Sequence, residues 1–107
     1  MRKKVYISGP MSGIEGFNFE AFDKAAKFIE SRGDFAVNPA IRGREWVAKH
    51  GNRPLTKAEY RIMMKECKAA LRECGSIFLL KGWENSNGAK EELSLAILRD
   101  MEVEIEK

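Results

Sequence analysis

A chain of 107 residues supports one hydrophobic core and is too short for two domains. No apolar run reaches the roughly 20 residues of a membrane span, and the apolar stretch behind the basic Met1-Arg2-Lys3-Lys4 stops at Ser8-Gly9-Pro10, too soon for a signal peptide; the expectation is a cytoplasmic protein with no membrane partner. The net charge of +3 is too mild to suggest polymeric nucleic acid, and a single histidine, His50, with two cysteines that form no CxxC pair, Cys67 and Cys74, gives no metal-site pattern, so neither a metal nor another cofactor is expected.

Residues 3–8 are apolar with little alternation and read as a buried strand. It opens into Ser8-Gly9-Pro10-Met11-Ser12-Gly13, a loop rich in glycine that is neither GxGxxG nor a phosphate loop ending in GK[ST]. Taken alone, that loop reads first as a tight strand-to-helix turn and second as backbone that a ligand approaches. Asn18 is placed as a helix N-cap; Phe19, Phe22, Ala26 and Ile29 then recur at helical spacing, and Gly33 ends the helix. Phe35-Ala36-Val37 is a short second strand stopped by Asn38-Pro39. Residues 40–55 show no clean period and read as a loop holding at most a short helix. Thr56 caps a long helix with the apolar stripe Tyr60, Met63, Met64, Cys67 and Leu71. Residues 76–80 form the third strand, 82–88 a polar loop, 88–100 the last long helix, and Val103 with Ile105 mark a final short strand. Alternating strands and helices predict an α/β fold with a mainly parallel sheet covered on both faces. Ligands in such sheets bind beyond the carboxyl ends of the strands, where the loops 9–16, 38–55 and 81–88 gather.

The segment Ser86-Asn87-Gly88 leads into the last helix. A helix N-terminus carries unpaired N–H groups and a positive dipole end, and glycine beside a serine hydroxyl suits a phosphate there; plain capping by Ser86 or Asn87 is the bland alternative. Glu91 and Glu92 follow in the first turns. At about 100° per residue, Ala89, Leu93, Ala96 and Ile97 form one apolar face. Glu91 points away from that face and Glu92 sits on its border, which makes Glu92 the candidate for a carboxylate held in a cleft. Leu95 and Leu98 fall on a second face, the basis for expecting a homodimer or larger assembly. The basic residues Arg42, Arg44, Lys49, Arg53 and Lys57 suggest a rim or lid over the site that suits a small anion.

The segments "VYISGPMSG", "NFEAF", "VNP" and "LLKGWENSNGAKEE" together resemble small phage and bacterial proteins of the DUF4406 type. These in turn are similar to the nucleoside 2-deoxyribosyltransferase superfamily, which includes 2'-deoxynucleoside 5'-monophosphate N-hydrolases. The resemblance spans nearly the whole chain, as one domain over 1–107. It implies a small flavodoxin-like (Rossmann-like) three-layer sandwich with four to five mainly parallel strands, and cleavage or transfer at an N-glycosidic bond. It implies a pattern like S-x-G-x-x-x-E, met here by Ser86, Gly88 and Glu92, with Glu92 as nucleophile and Ser86 and Gly88 on the 5'-phosphate. It assigns Ser8, Gly9, Met11 and Gly13 to the nucleoside wall. Trp83 could stack on a base or serve as a buried structural residue. The chain departs from its relatives at Cys67 and Gly75, where they commonly carry aspartates. Two other classes stay open: a nucleotide-binding module without turnover, and a phage-encoded interaction protein.

Overall fold

The computed structural model describes residues 2–11 and 15–107. Four strands, β1 (Lys4–Ser8), β2 (Phe35–Val37), β3 (Ser76–Leu79) and β4 (Glu102–Ile105), form one sheet in the order β2-β1-β3-β4, and every pairing is parallel. The helices are α1 (Phe19–Ser31), α2 (Ala40–His50), α3 (Lys57–Arg72) and α4 (Asn87–Leu98). This is the expected three-layer α/β sandwich of the flavodoxin-like kind.

Alternation along the two central strands builds two half-cores. Val5 and Ile7 of β1, with Phe78 and Leu80, pack on Phe22, Ala25 and Ile29 of α1. Tyr6, Ile77 and Leu79 face the other way and pack on Leu71 of α3 and Ala96 of α4. Because both faces are covered, the central strands are apolar at nearly every position, which is why their sequence alternates so little. The chain leaves β1 toward β2 on one side and reaches β3 on the other, so the switch point lies between the carboxyl ends of β1 and β3. No helix of the described residues is long and apolar enough to cross a membrane.

Several expectations are met closely. Thr56 accepts from the Glu59 N–H and Glu59 reaches back to the Thr56 N–H, a reciprocal cap that starts α3. Gly33, just past α1, has a φ of +93°, a left-handed stop that costs glycine little. Others are corrected. Asn18 does not cap α1: it sits in the left-handed region and its side-chain amide donates instead to the Pro10 carbonyl at 2.9 Å, tying the first loop to the helix start. Residues 40–50 are a full helix. It escapes periodicity because its buried positions, Ala40 and Gly43, are small and leave no apolar stripe, and Phe19 packs directly over Gly43. On α4 the buried face is Ala89, Glu92 and Ala96; Leu95 packs into the core, whereas Ile97 is exposed. Crossing geometry against β3 and β4 sets that face, and the helix alone does not reveal it.

Gly9 explains part of the first loop. A Cβ there would lie 2.7 Å from the Cβ of Leu80, which cannot swing away. Gly9→Ala should therefore cost about 1–3 kcal/mol by overpacking. A lowered urea midpoint at an unchanged slope checks this, and an unchanged midpoint contradicts it.

Candidate active site

The site begins with the alternation of β1. Since Val5 and Ile7 face α1, Tyr6 and Ser8 face α4. The Tyr6 hydroxyl donates to Oε2 of Glu92 and the Ser8 hydroxyl donates to Oε1, both at 2.6 Å. Glu92 is 6% exposed and is the one charged side chain among the buried residues described. None of the ion pairs among the described residues includes it. A buried carboxylate without a cation costs several kcal/mol, and an apolar residue would be the more stable choice. Two short charge-assisted hydrogen bonds offset part of that cost and hold both oxygens in one orientation.

Burial pushes the Glu92 carboxyl above its ordinary range, while the Ser8 and Tyr6 hydroxyls pull it back toward the ionised form. Burial, reinforced by the neighbouring Glu92 charge, pushes the Tyr6 phenol well up, so Tyr6 stays a donor. The Cys67 thiol beside Tyr6 is also raised by burial.

Glu92 opens onto a cavity of about 420 Å³ at the switch point. Gly9, Pro10 and Met11 form one wall, Tyr60, Met63, Met64 and Cys67 of α3 another, and Ser86, Asn87, Gly88 and Ala89 the start of α4. The Ser86 hydroxyl accepts from the Ala89 N–H and so caps α4, which leaves its own proton free to donate. The remaining first-turn N–H groups point out of the helix end. Gly88 lets α3 and α4 close together: a Cβ would meet the Tyr60 hydroxyl at 3.1 Å and the Met64 sulfur at 3.3 Å. Glu92 lies four residues past Gly88, about 6 Å along the axis. A larger chamber of about 770 Å³ adjoins this cavity and shares Met11, Leu55, Tyr60 and Met63 with it. Its walls are aromatic and apolar, edged by Arg53, Lys57 and Arg61, and hold no acid. Size would select the larger space; the buried carboxylate selects the smaller.

Glu92, Gly9, Met11, Ser86 and Gly88 thus line one cavity. Ser8 lies beneath it, sealed under Glu92 as a partner of the carboxylate and not as wall. Trp83 does not line the cavity; it packs against the half-core of Tyr6 and Leu71. Gly13 lies outside the described residues. Sequence reasoning missed Tyr6 and assigned Tyr60 to the core. The two-residue spacing of Tyr6 and Ser8 on a strand that ends at the site is the signal that finds Tyr6. Cys67 lines the cavity, whereas Gly75 sits at the opposite, amino end of β3, bonded to the Lys4 carbonyl and Glu102 N–H. At about 3.3 Å per residue it is about 13 Å from Leu79, so a carboxylate at position 75 would not reach this cavity. The segment 42–57 forms α2 and the edge of the larger chamber, and its arginines are paired: Arg42 with Glu66, Arg44 with Asp23 and Arg53 with Glu59.

Fold and site together define a small doubly wound α/β domain with an acidic cavity at its switch point. The chain belongs to the family described as a domain of unknown function, DUF4406, whose profile matches residues 3–105. No curated protein matches the chain.

A carboxyl raised above its ordinary 4.5 favours the folded state while protonated, and that contribution disappears as pH rises through the folded value. The wild type should therefore lose stability relative to Glu92→Gln over the range that starts near the ordinary 4.5 and runs upward in pH. Thermal melts of both proteins across that range check this: the gap in Tm should widen in favour of the variant. A gap independent of pH would mean that Glu92 carries no upward shift.

Proposed function

We propose that this protein is an N-glycosidase-like enzyme, related to the nucleoside 2-deoxyribosyltransferases, acting on a nucleoside or (deoxy)nucleoside 5'-monophosphate. The observation that carries this reading is the buried Glu92 carboxylate, oriented by Tyr6 and Ser8 at the floor of a cavity whose rim is a helix N-terminus. A phosphate held by Ser86 and the first-turn N–H groups would set the sugar over Glu92, a span that a sugar 5'-phosphate covers. One Glu92 oxygen would attack C1' as the C1'–N bond breaks and the bonding pair leaves with the base, which takes up a proton. Water, or a second acceptor in transfer, would then release the sugar from the ester. The Tyr6 and Ser8 hydroxyls would hold the carboxylate for that attack and lower its freedom to rotate.

A second reading, a nucleotide-binding module without turnover, is favoured by one observation. Glu92 is the only carboxylate among the described residues that line the cavity, and position 67, where relatives commonly carry an aspartate, is Cys67. We further infer a homo-oligomer that uses the end of α4, where Leu98 and Ile97 are 82% and 60% exposed. Light scattering at high micromolar concentration tests it, and a monomer there contradicts it.

Glu91 is the internal control for Glu92. It is adjacent, acidic, exposed, and paired only with Lys68 at 3.2 Å. Incubated with a panel of deoxynucleoside monophosphates, wild type and Glu91→Gln should release free base at similar rates. Glu92→Gln should release none, since the amide neither attacks nor stabilises the anomeric centre. Chromatography of the free base reads the outcome. Equal turnover by Glu92→Gln excludes the mechanism; binding without release by the wild type favours the binding module.

A further inference from the structure

On the far side of Tyr60 and Met64 from the Glu92 cavity lies a shallow groove of about 300 Å³ between α3 and α4. Its floor carries Arg61, Lys65, Lys68 and Arg72, successive cations spaced four, three and four residues apart on one stripe of α3. The stripe is about 16 Å long at 1.5 Å per residue. Glu91 of α4 is the one acid lining the groove, and it pairs with Lys68 at 3.2 Å. Among the described residues no ion pair includes the side chains of Arg61, Lys65 or Arg72, and all three are exposed. Four cations face one carboxylate in a concavity, where like charges at helical spacing cost stability. Four other arginines among the described residues, Arg32, Arg42, Arg44 and Arg53, do meet acids.

The groove adjoins the site across two side chains. Tyr60 and Met64 line both spaces, and Gly88 abuts the same two side chains, with 3.1 Å from its would-be Cβ to the Tyr60 hydroxyl. A ligand chain running outward from the cavity over Tyr60 and Met64 would reach the stripe. We propose that the groove receives the outer phosphates of a nucleoside 5'-triphosphate, making polyphosphorylated nucleotides the preferred ligands of the Glu92 cavity. This rests on the nucleotide reading above and deepens it. Two or three exposed ion pairs, each weak, add up to about tenfold in affinity. The contribution is electrostatic and fades with added salt.

The test is calorimetric titration without magnesium at low salt. The ligands are a deoxynucleoside mono-, di- and triphosphate of one base, inorganic phosphate, inorganic tripolyphosphate and a single-stranded oligonucleotide. The proteins are the wild type, Arg61→Ser/Lys65→Ser/Arg72→Ser, and Glu91→Gln. The triple variant changes exposed side chains only, and circular dichroism confirms its fold. The expected result is a triphosphate bound about tenfold more tightly than the monophosphate by the wild type. The triple variant should lose that preference and keep its affinity for the monophosphate, and Glu91→Gln should strengthen triphosphate binding. Equal affinity for mono- and triphosphate in the wild type overturns the proposal while leaving the monophosphate reading intact. A preference that survives in the triple variant, or tighter binding of the oligonucleotide than of the triphosphate, also overturns it. Tripolyphosphate binding that depends on the stripe, with no nucleotide bound, keeps the anion groove and removes the nucleotide reading. Absence of binding by every ligand removes both.

Discussion

The molecule is organised around one carboxylate. Glu92 comes from the last helix, and the hydroxyls that hold it come from the first strand. Their union locks α4 across the carboxyl end of β1 and fixes how far α4 advances along the sheet. A buried carboxylate without a cation is tolerated only while both oxygens find donors. The packing of Ala89 and Ala96, small residues on either side of Glu92 along α4, lets the helix approach closely enough for those 2.6 Å contacts.

The surrounding parts follow from that approach. Tyr6 reaches Glu92 because β1 alternates, sending Val5 and Ile7 to α1 and Tyr6 and Ser8 to α4. Gly9 is required directly after Ser8, because a Cβ there would collide with the Leu80 side chain. Gly88 plays the matching role across the cavity, admitting Tyr60 and Met64 of α3 against the start of α4. The two glycine-bearing loops thus serve close packing and an open cavity together. In the first loop, Gly9 is packed against Leu80 and lines the cavity as well.

Charge is distributed with the same economy. Several arginines on the outer surface meet carboxylates: Arg44 pairs with Asp23, Arg53 with Glu59, and Arg32 with both Asp34 and Glu104. These exposed contacts add little stability individually. Arg61, Lys65 and Arg72 of α3 are in no such pair among the described residues, and they leave a positive groove beside the buried carboxyl. Under the proposed function, an anionic ligand would meet that groove beside the cavity and a carboxylate at its floor, an arrangement suited to chemistry that builds positive charge on a sugar.

How much of this was legible depended on whether the information was local. Periodicity and turn chemistry determined the α/β class, both long helices, all four strands and the Thr56 cap, since each depends on neighbours within a few residues. The helical wheel singled out Glu92 over Glu91, because the border of an apolar face is a local property. Residues 40–50 stayed hidden as a helix, since its contacts are made by Ala40 and Gly43, which carry almost no hydrophobic signal. Asn18 was misread because its amide is used by the Pro10 carbonyl, a contact across the loop. Tyr6 and Ser8 could not be joined to Glu92, at 86 and 84 residues' separation, by any pattern along the chain. Nor could the irrelevance of position 75 to the cavity be seen before the strand's direction put it at the other end. Sequence by itself determined which elements form and which acid stands at the edge of its helix. Only the tertiary structure decided what that acid touches, because hydrogen bonds between a first strand and a last helix exist only once the sheet has brought them together.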